Sequence, residues 1–221
     1  MLRLVTYYTP SHEQMCREFV LSRVVGFDEI HSTQCEQTCP SGVFKSHGWN
    51  ECMVDKLRCL MALPQDGMPT VYVDSDVALM NGFSEFCKEI FESLPDNGVA
   101  FSNDIIQLSA GIMFFRSTEV VQGFWRLVAE LSPILNLQDQ DVINNLFDES
   151  KTGKFILPIV PSVLPSDKVC NWATINIPNP PSLWDGEPFE VPQSCVAWHA
   201  NWTLGIENKI RMLNSVLLNK K

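Results

Sequence analysis

Asp74-Ser75-Asp76 closes an apolar run, Thr70-Val71-Tyr72-Val73, and its residue types and spacing point to chemistry. Residues two apart on a strand point to the same side. Both carboxylates can therefore reach one point just beyond the strand's carboxyl end. In an open α/β sheet, that edge is where ligands bind. Two hard oxygen donors there suit Mg²⁺ or Mn²⁺, which also take phosphate oxygens from a substrate. The competing reading is a surface turn carrying two solvated acids. The buried-looking strand before the pair argues against it.

The elements that must position these acids alternate between strand and helix. Leu2–Tyr8 reads as a strand, and Ser11 as the N-cap of a helix from Glu13 to Val25 with Met15, Phe19, Val20 and Val24 at near-helical spacing. Phe27–Ser32 is a second strand, Cys35–Gly48 a loop, and Asn50–Leu63 a helix ended by Pro64. After Thr70–Val73 come a helix over Ser84–Leu94 and strands at Val99–Ser102 and Gly111–Arg116. Val120, Val121, Phe124, Trp125, Val128 and Leu131 define an amphipathic helix, followed by another at Asp139–Phe147. A strand at Phe155–Val160, a structured loop over Val163–Pro192, a strand at Val196–His199 and a helix marked by Ile206, Ile210, Leu213 and Leu217 complete the chain. This alternation predicts an α/β fold with a mostly parallel sheet flanked by helices.

The 221 residues suffice for one domain with a real core, and 45% hydrophobic against 19% charged residues reads as globular rather than disordered. A net charge of −10 argues against nucleic acid or an anionic membrane as the main partner. No apolar run reaches the length of a membrane span. The N-terminus alternates like a strand and lacks the features of a signal peptide, so a cytoplasmic location is expected, with the eight cysteines reduced. The chain can also be one module of a larger protein. His31, Cys35, Cys39 and His47 are spaced more loosely than zinc ligands usually are, which favours a loop that merely contains them.

Four further segments follow in order: Val54-Asp55-Lys56-Leu57-Arg58-Cys59-Leu60, Leu108 through Arg116, Gln138 through Asn144, and Trp198-His199-Ala200-Asn201-Trp202 onward to Lys209. With the aspartate pair they resemble the GT-A nucleotide-sugar glycosyltransferases, most closely the glycogenin-like and related retaining families. The resemblance runs from the Thr-Tyr-Tyr strand to the final helix. It implies a Rossmann-like domain, with residues 1–107 as the nucleotide-binding half and 108–221 as the half for sugar and acceptor. It implies transfer of a sugar from a nucleotide-diphospho-sugar, a UDP-sugar, to a glycan or other hydroxyl acceptor, with retention.

The same resemblance distributes roles. Asp74, Ser75 and Asp76 would hold Mn²⁺ or Mg²⁺ together with the donor ribose and diphosphate, and His199 would be the third metal ligand. A divalent ion clamping both phosphates stabilises the nucleoside diphosphate as it leaves. Lys209, in the first turn of the last helix, would hold the diphosphate alongside the free N–H groups of that turn. Gly205 and Asn201 lie beside it. Thr6, Tyr7 and Tyr8 would seat the base, and Lys56 would contact the donor. Ser109-Ala110-Gly111 stands where relatives carry an Asn-Ala-Gly type segment against the donor sugar, and serine for asparagine is a departure. Asp139 and Gln140 match an Asp-Gln pair beside the sugar ring. Ser102-Asn103-Asp104 is placed to line the donor pocket, and Trp172, Trp184 and Trp202 are candidates for sugar-face contacts.

Two other functions fit parts of this pattern. A haloacid-dehalogenase-like phosphatase also uses a strand followed by Asp-x-Asp, but that motif normally opens the catalytic domain. A non-catalytic nucleotide-sugar or glycan-binding module would share the scaffold.

Overall fold

The computed structural model describes residues 1–39, 41, 46–105, 107–176 and 183–220. Strand β1 (Arg3–Tyr8) is buried along its length, and β2 (Glu29–Gln34) pairs with it in parallel at the sheet edge. Strand β3 (Pro69–Asp74), which leads into the Asp74-Ser75-Asp76 motif, pairs in parallel with the other side of β1. The sheet then continues through β6 (Leu108–Arg116), β5 (Gly98–Asn103) and β7 (Val160–Val163). Only β6 runs against the rest, so the six-stranded sheet is mixed and mostly parallel, as the sequence predicts. A second sheet of three short strands has β9 (Ala197–His199) between β4 (Val77–Leu79) and β8 (Val169–Asn171).

The period of two along β6 divides the core. Ile112 and Phe114 face helix α3 (Phe83–Ser93) through Phe83, Phe86 and Phe91. Met113 and Phe115 face α2 (Trp49–Met61), α4 (Glu119–Leu135) and α5 (Asp139–Lys151) through Leu57, Leu60, Trp125, Val128 and Phe147. A third cluster joins the small sheet to helix α6 (Ile206–Asn219) through Ala78, Trp198, Met212, Leu213 and Val216.

Three local readings need correction. The segment expected as one helix over 13–25 is a 3-10 turn (Pro10–His12), a single α turn α1 (Glu13–Met15), a π turn (Cys16–Val20) and another 3-10 turn (Leu21–Arg23). The segment straddles two cores: Met15 and Phe19 enter the cluster under the small sheet, while Cys16 and Val20 enter the α3 cluster. The strand expected at 155–160 begins only at Val160 and continues to Val163. Pro161 sits within it, which an edge strand tolerates. The stretch read as a loop over 163–192 contains β8 and a 3-10 turn at Thr174–Asn176, and residues 177–182 lie outside the described ones.

His31, Cys35, Cys39 and His47 do not form a metal cluster among the described residues. The His31 ring meets Glu29, Cys35 lies against Cys59 with 3.7 Å between sulfurs, and Cys39 lies against Ser46. All eight cysteines are free thiols. Burial, with Cys59 alongside, pushes the Cys35 thiol up to about 12.

Two outcomes follow from this packing. Phe114→Ala removes a fully buried ring that meets Phe83, Phe86 and Phe91 at centroid distances of 6.2, 5.8 and 5.7 Å. Urea unfolding should show a loss of about 3–5 kcal/mol. A loss under about 1 kcal/mol would mean that the ring is not packed this way. Cys35, although partly exposed, should resist iodoacetamide at pH 8 because little thiolate is present. Rapid labelling of Cys35 in a peptide map would contradict its thiol environment.

Candidate functional site

The carboxyl ends of β1 and β3 lie side by side, with Tyr7 opposite Asp74. On the other flank Val73 pairs with Ile112, which brings Gly111 level with the aspartate motif. The chain then turns through Ser75 and Asp76 into β4, where Val77 pairs with His199 on β9. The Asp76 carbonyl accepts the Ala200 N–H at 3.0 Å, which ties the two strands at that point. A histidine 123 residues further along the chain (76 to 199) thus reaches the aspartates through one short antiparallel ladder.

Asp74, Asp76 and His199 each offer a ligand atom within 4.8 Å of the others. His199 Nε2 lies 3.3 Å from Asp76 and 3.7 Å from Asp74. Its Nδ1 is buried without a hydrogen-bond partner. Gly111 makes room for the ring, because a Cβ built there would lie 2.1 Å from His199 Cε1. Lys209, in the first turn of α6, reaches back to Asp76 at 2.6 Å. Gly205 at φ +80° starts that helix and accepts the Lys209 N–H on its carbonyl.

Lys56 is not a surface charge of α2. It is 2% exposed and pairs with Asp139 at 2.6 Å and Asp74 at 3.6 Å. It also donates to the Ala110 carbonyl at 3.2 Å and lies over the Tyr72 ring. The Tyr72 hydroxyl donates to Asp74 at 2.5 Å. Asp139 likewise does more than favour its helix dipole, because it is buried at the start of α5 against that lysine.

The charges set each other's protonation. Burial alone would raise Asp76, but Lys209 and His199 outweigh it and hold the carboxyl well below its ordinary range. Burial raises Asp74, and Asp76 adds to this. Lys56 and His199 oppose it, and the net shift is upward. Burial works against a charged Lys56, yet Asp139 and Asp74 keep it charged and raise it. Burial would also discharge His199, but Asp76 and then Asp74 raise it above an ordinary histidine.

The wall formed by β6 and α5 depends on an irregularity in β5. The β5–β6 register breaks between Phe101 and Ser102, so the partner jumps from Met113 to Ser109. Ala110, Gly111 and Ile112 are left without partners on β5, as a bulge does. The freed Ala110 N–H donates to Gln140 Oε1 at 3.2 Å, and its carbonyl takes Lys56. Gln140 Nε2 donates to Asp104 at 3.3 Å.

These groups line a cavity of about 640 Å³. Tyr7, Tyr8, Lys56, Asp74, Ser75, Asp76, Ala110, Gly111, Asp139, Gln140, His199, Asn201, Gly205 and Lys209 all face it. Thr6 and Ser109 do not reach its wall. Thr6 is fully buried against Cys16, and the Ser109 hydroxyl accepts the Gly111 N–H beneath the surface. Of the three tryptophans, Trp202 lines the cavity, whereas Trp172 and Trp184 are buried beneath the small sheet. The cavity also includes His12 and Trp49, which sequence reasoning missed. His12 follows the carboxyl end of β1, so the rule that ligands sit at such ends was the available signal. Trp49 is held by a 3.2 Å bond to Gln138, a contact that no local pattern reveals.

A family model described as nucleotide-diphospho-sugar transferase matches residues 16–213. No curated protein sequence gives a match. Among solved structures, the chain is similar to a glycosyltransferase involved in glycosylation of the major capsid of PBCV-1. The TM-score is 0.65 at 10% identity, covering 96% of this chain and 98% of that one. It is similar to the glycosyltransferase GlyE of Streptococcus pneumoniae TIGR4 at TM-score 0.58 and 12% identity, covering 97% of this chain and 60% of GlyE. It is also similar to the galactosyltransferase LgtC, solved with donor and acceptor sugar analogs, at TM-score 0.57 and 11% identity, covering 96% and 95%. At these identities the likeness speaks for the GT-A fold. The family match spans most of the chain, and the chain belongs to the nucleotide-diphospho-sugar transferase family.

Proposed function

We propose that this glycosyltransferase moves a sugar from a UDP-sugar to a glycan or other hydroxyl acceptor in a metal-dependent reaction with retention. The observation that carries the reading is the meeting of Asp74, Asp76 and His199 beside Lys209 on the wall of one cavity. Family membership sets aside the phosphatase alternative. The later acid Asp139 is committed to Lys56 rather than free to join a second carboxylate pair.

Two carboxylates and an imidazole whose Nε2 lies beside both suit Mn²⁺, and Mg²⁺ less well. Bound there, the ion would supply positive charge for the diphosphate as it leaves. Lys209 would turn from Asp76 to that diphosphate, at the N-terminus of α6. Tyr7 and Tyr8 would seat the base from the end of β1. Lys56 would hold Asp139 and Asp74 in place, with Asp139 facing sugar hydroxyls and Gln140 near the anomeric carbon. Residues 1–107 would then serve mainly the nucleotide, and 108–221 the sugar and acceptor.

Mixing the protein with UDP-sugars and Mn²⁺ should release free UDP, and EDTA should stop the release. Metal-dependent UDP binding with no release from any donor would favour the non-catalytic module instead. Asp76→Ala should weaken Mn²⁺-dependent UDP binding by at least ~100-fold in calorimetry while the fold persists. Unchanged affinity in that variant would sink the metal assignment. Gly111→Ala should weaken Mn²⁺ binding about tenfold by displacing the His199 ring, whereas Gly123→Ala, with nothing within 4 Å of the added carbon, should not. Equal affinities for both alanine variants would separate His199 from the metal.

A further inference from the structure

Asp104 follows β5 and was expected only to line the donor pocket, yet three side chains converge on it. Trp202 Nε1 donates to its Oδ1 at 2.5 Å, and Asn201 Nδ2 donates to the same oxygen at 3.3 Å. Gln140 Nε2 donates to its Oδ2 at 3.3 Å. Asp104 is 9% exposed and lies just beyond β5, after the bulge that frees Ala110. It therefore joins α5 to the turn after β9, two parts of the chain with no strand or helix in common.

We propose that Asp104 is a positioning residue that fixes which end of the Gln140 amide faces each neighbour and pins the Trp202 indole. Sugar recognition by this wall is then set by one buried carboxylate. The proposal rests on the cavity being the seat of a nucleotide-sugar.

The argument is one of donors and acceptors. The Ala110 backbone N–H can only donate, so the carbonyl end of Gln140 must face it. The NH₂ end of Gln140 then needs an acceptor on its other side. The Trp202 indole N–H can also only donate. A group between them must accept in both directions, and a carboxylate does so while having no proton of its own. An asparagine at 104 would have to turn its NH₂ toward either Gln140 Nε2 or the Trp202 N–H, leaving donor against donor. Flipping Gln140 to relieve the first clash would set its NH₂ against the Ala110 N–H. The orientation of Gln140 is thus decided by Asp104 rather than by Gln140 itself. Trp202 is half-buried, packs in part against the core under the small sheet, and lines the cavity beside Leu204 with its N–H edge held. A tryptophan fixed in this way is suited to one face of a sugar ring.

The test compares sugar-dependent with nucleotide-dependent binding. Calorimetry with Mn²⁺ gives the affinity for UDP and for UDP-glucose, UDP-galactose, UDP-N-acetylglucosamine and UDP-xylose. For the sugar that the unaltered protein binds best, the ratio of its affinity to that of UDP isolates the sugar contribution. Asp104→Asn should keep UDP affinity within about twofold and lower that ratio about tenfold or more. Adding Gln140→Glu should raise the urea midpoint above that of Asp104→Asn, whatever it does to the sugar, because the new carboxylate accepts from both Ala110 N–H and the amide of residue 104. An unchanged ratio in Asp104→Asn, or a double variant no more stable than the single one, overturns the proposal. Should the unaltered protein bind none of these nucleotides, the donor reading fails separately, and urea unfolding still decides the positioning role. The double variant should then unfold at higher urea than Asp104→Asn alone, whereas purely additive destabilisation would overturn it.

Discussion

Three carboxyl groups meet near the end of one strand, Asp76 and Asp139 buried and Asp74 half-buried, and they constrain everything around them. Removing carboxylates from water is costly unless cations meet them. Lys56, Lys209 and His199 do so, each arriving from a different element. Three carboxyl groups face two lysines and one titratable ring, and Asp76 with Asp74 favours a proton on that ring. The raised affinity of His199 for that proton expresses the same balance. A divalent cation would take the proton's place and release Lys209 from Asp76. The cluster is thus held together by contacts that a metal and a diphosphate would take over.

The topology serves that cluster. Parallel pairing of β1 with β3 puts Tyr7 next to Asp74, and the antiparallel β6 carries Gly111 to the same level. The small sheet delivers His199, and its packing on α6 aims Lys209 inward. The bulge in β5 frees backbone groups at Ala110 for Lys56 and Gln140. In this way the aspartate motif and the start of α5 meet at one strand end, with Lys56 bridging them through Asp74 and Asp139.

Much of this was legible because periodicity survives folding. The strands before Asp74 and His199, the amphipathic α4 and the apolar stripe of α6 all read correctly. Lys56 was expected at the donor, but its burial between Asp74 and Asp139 had no local signal, because a lysine in a helix looks solvated until the strand ends beneath it are known. Thr6 and Ser109 were expected at the site, but their side chains point into the protein on strands whose facing depends on pairing. The β5 bulge exists only once β6 has paired, so the convergence on Asp104 had no local signal. The π turn at 16–20 shares its apolar spacing with an ordinary helix, and only its hydrogen bonds distinguish it.

The most direct test is a crystal grown with Mn²⁺ and UDP, with anomalous scattering measured for manganese. The account predicts one manganese peak bounded by Asp74, Asp76 and His199, with Lys209 Nζ moved from Asp76 to a diphosphate oxygen. UDP bound with no peak there, and Lys209 still on Asp76, would contradict it.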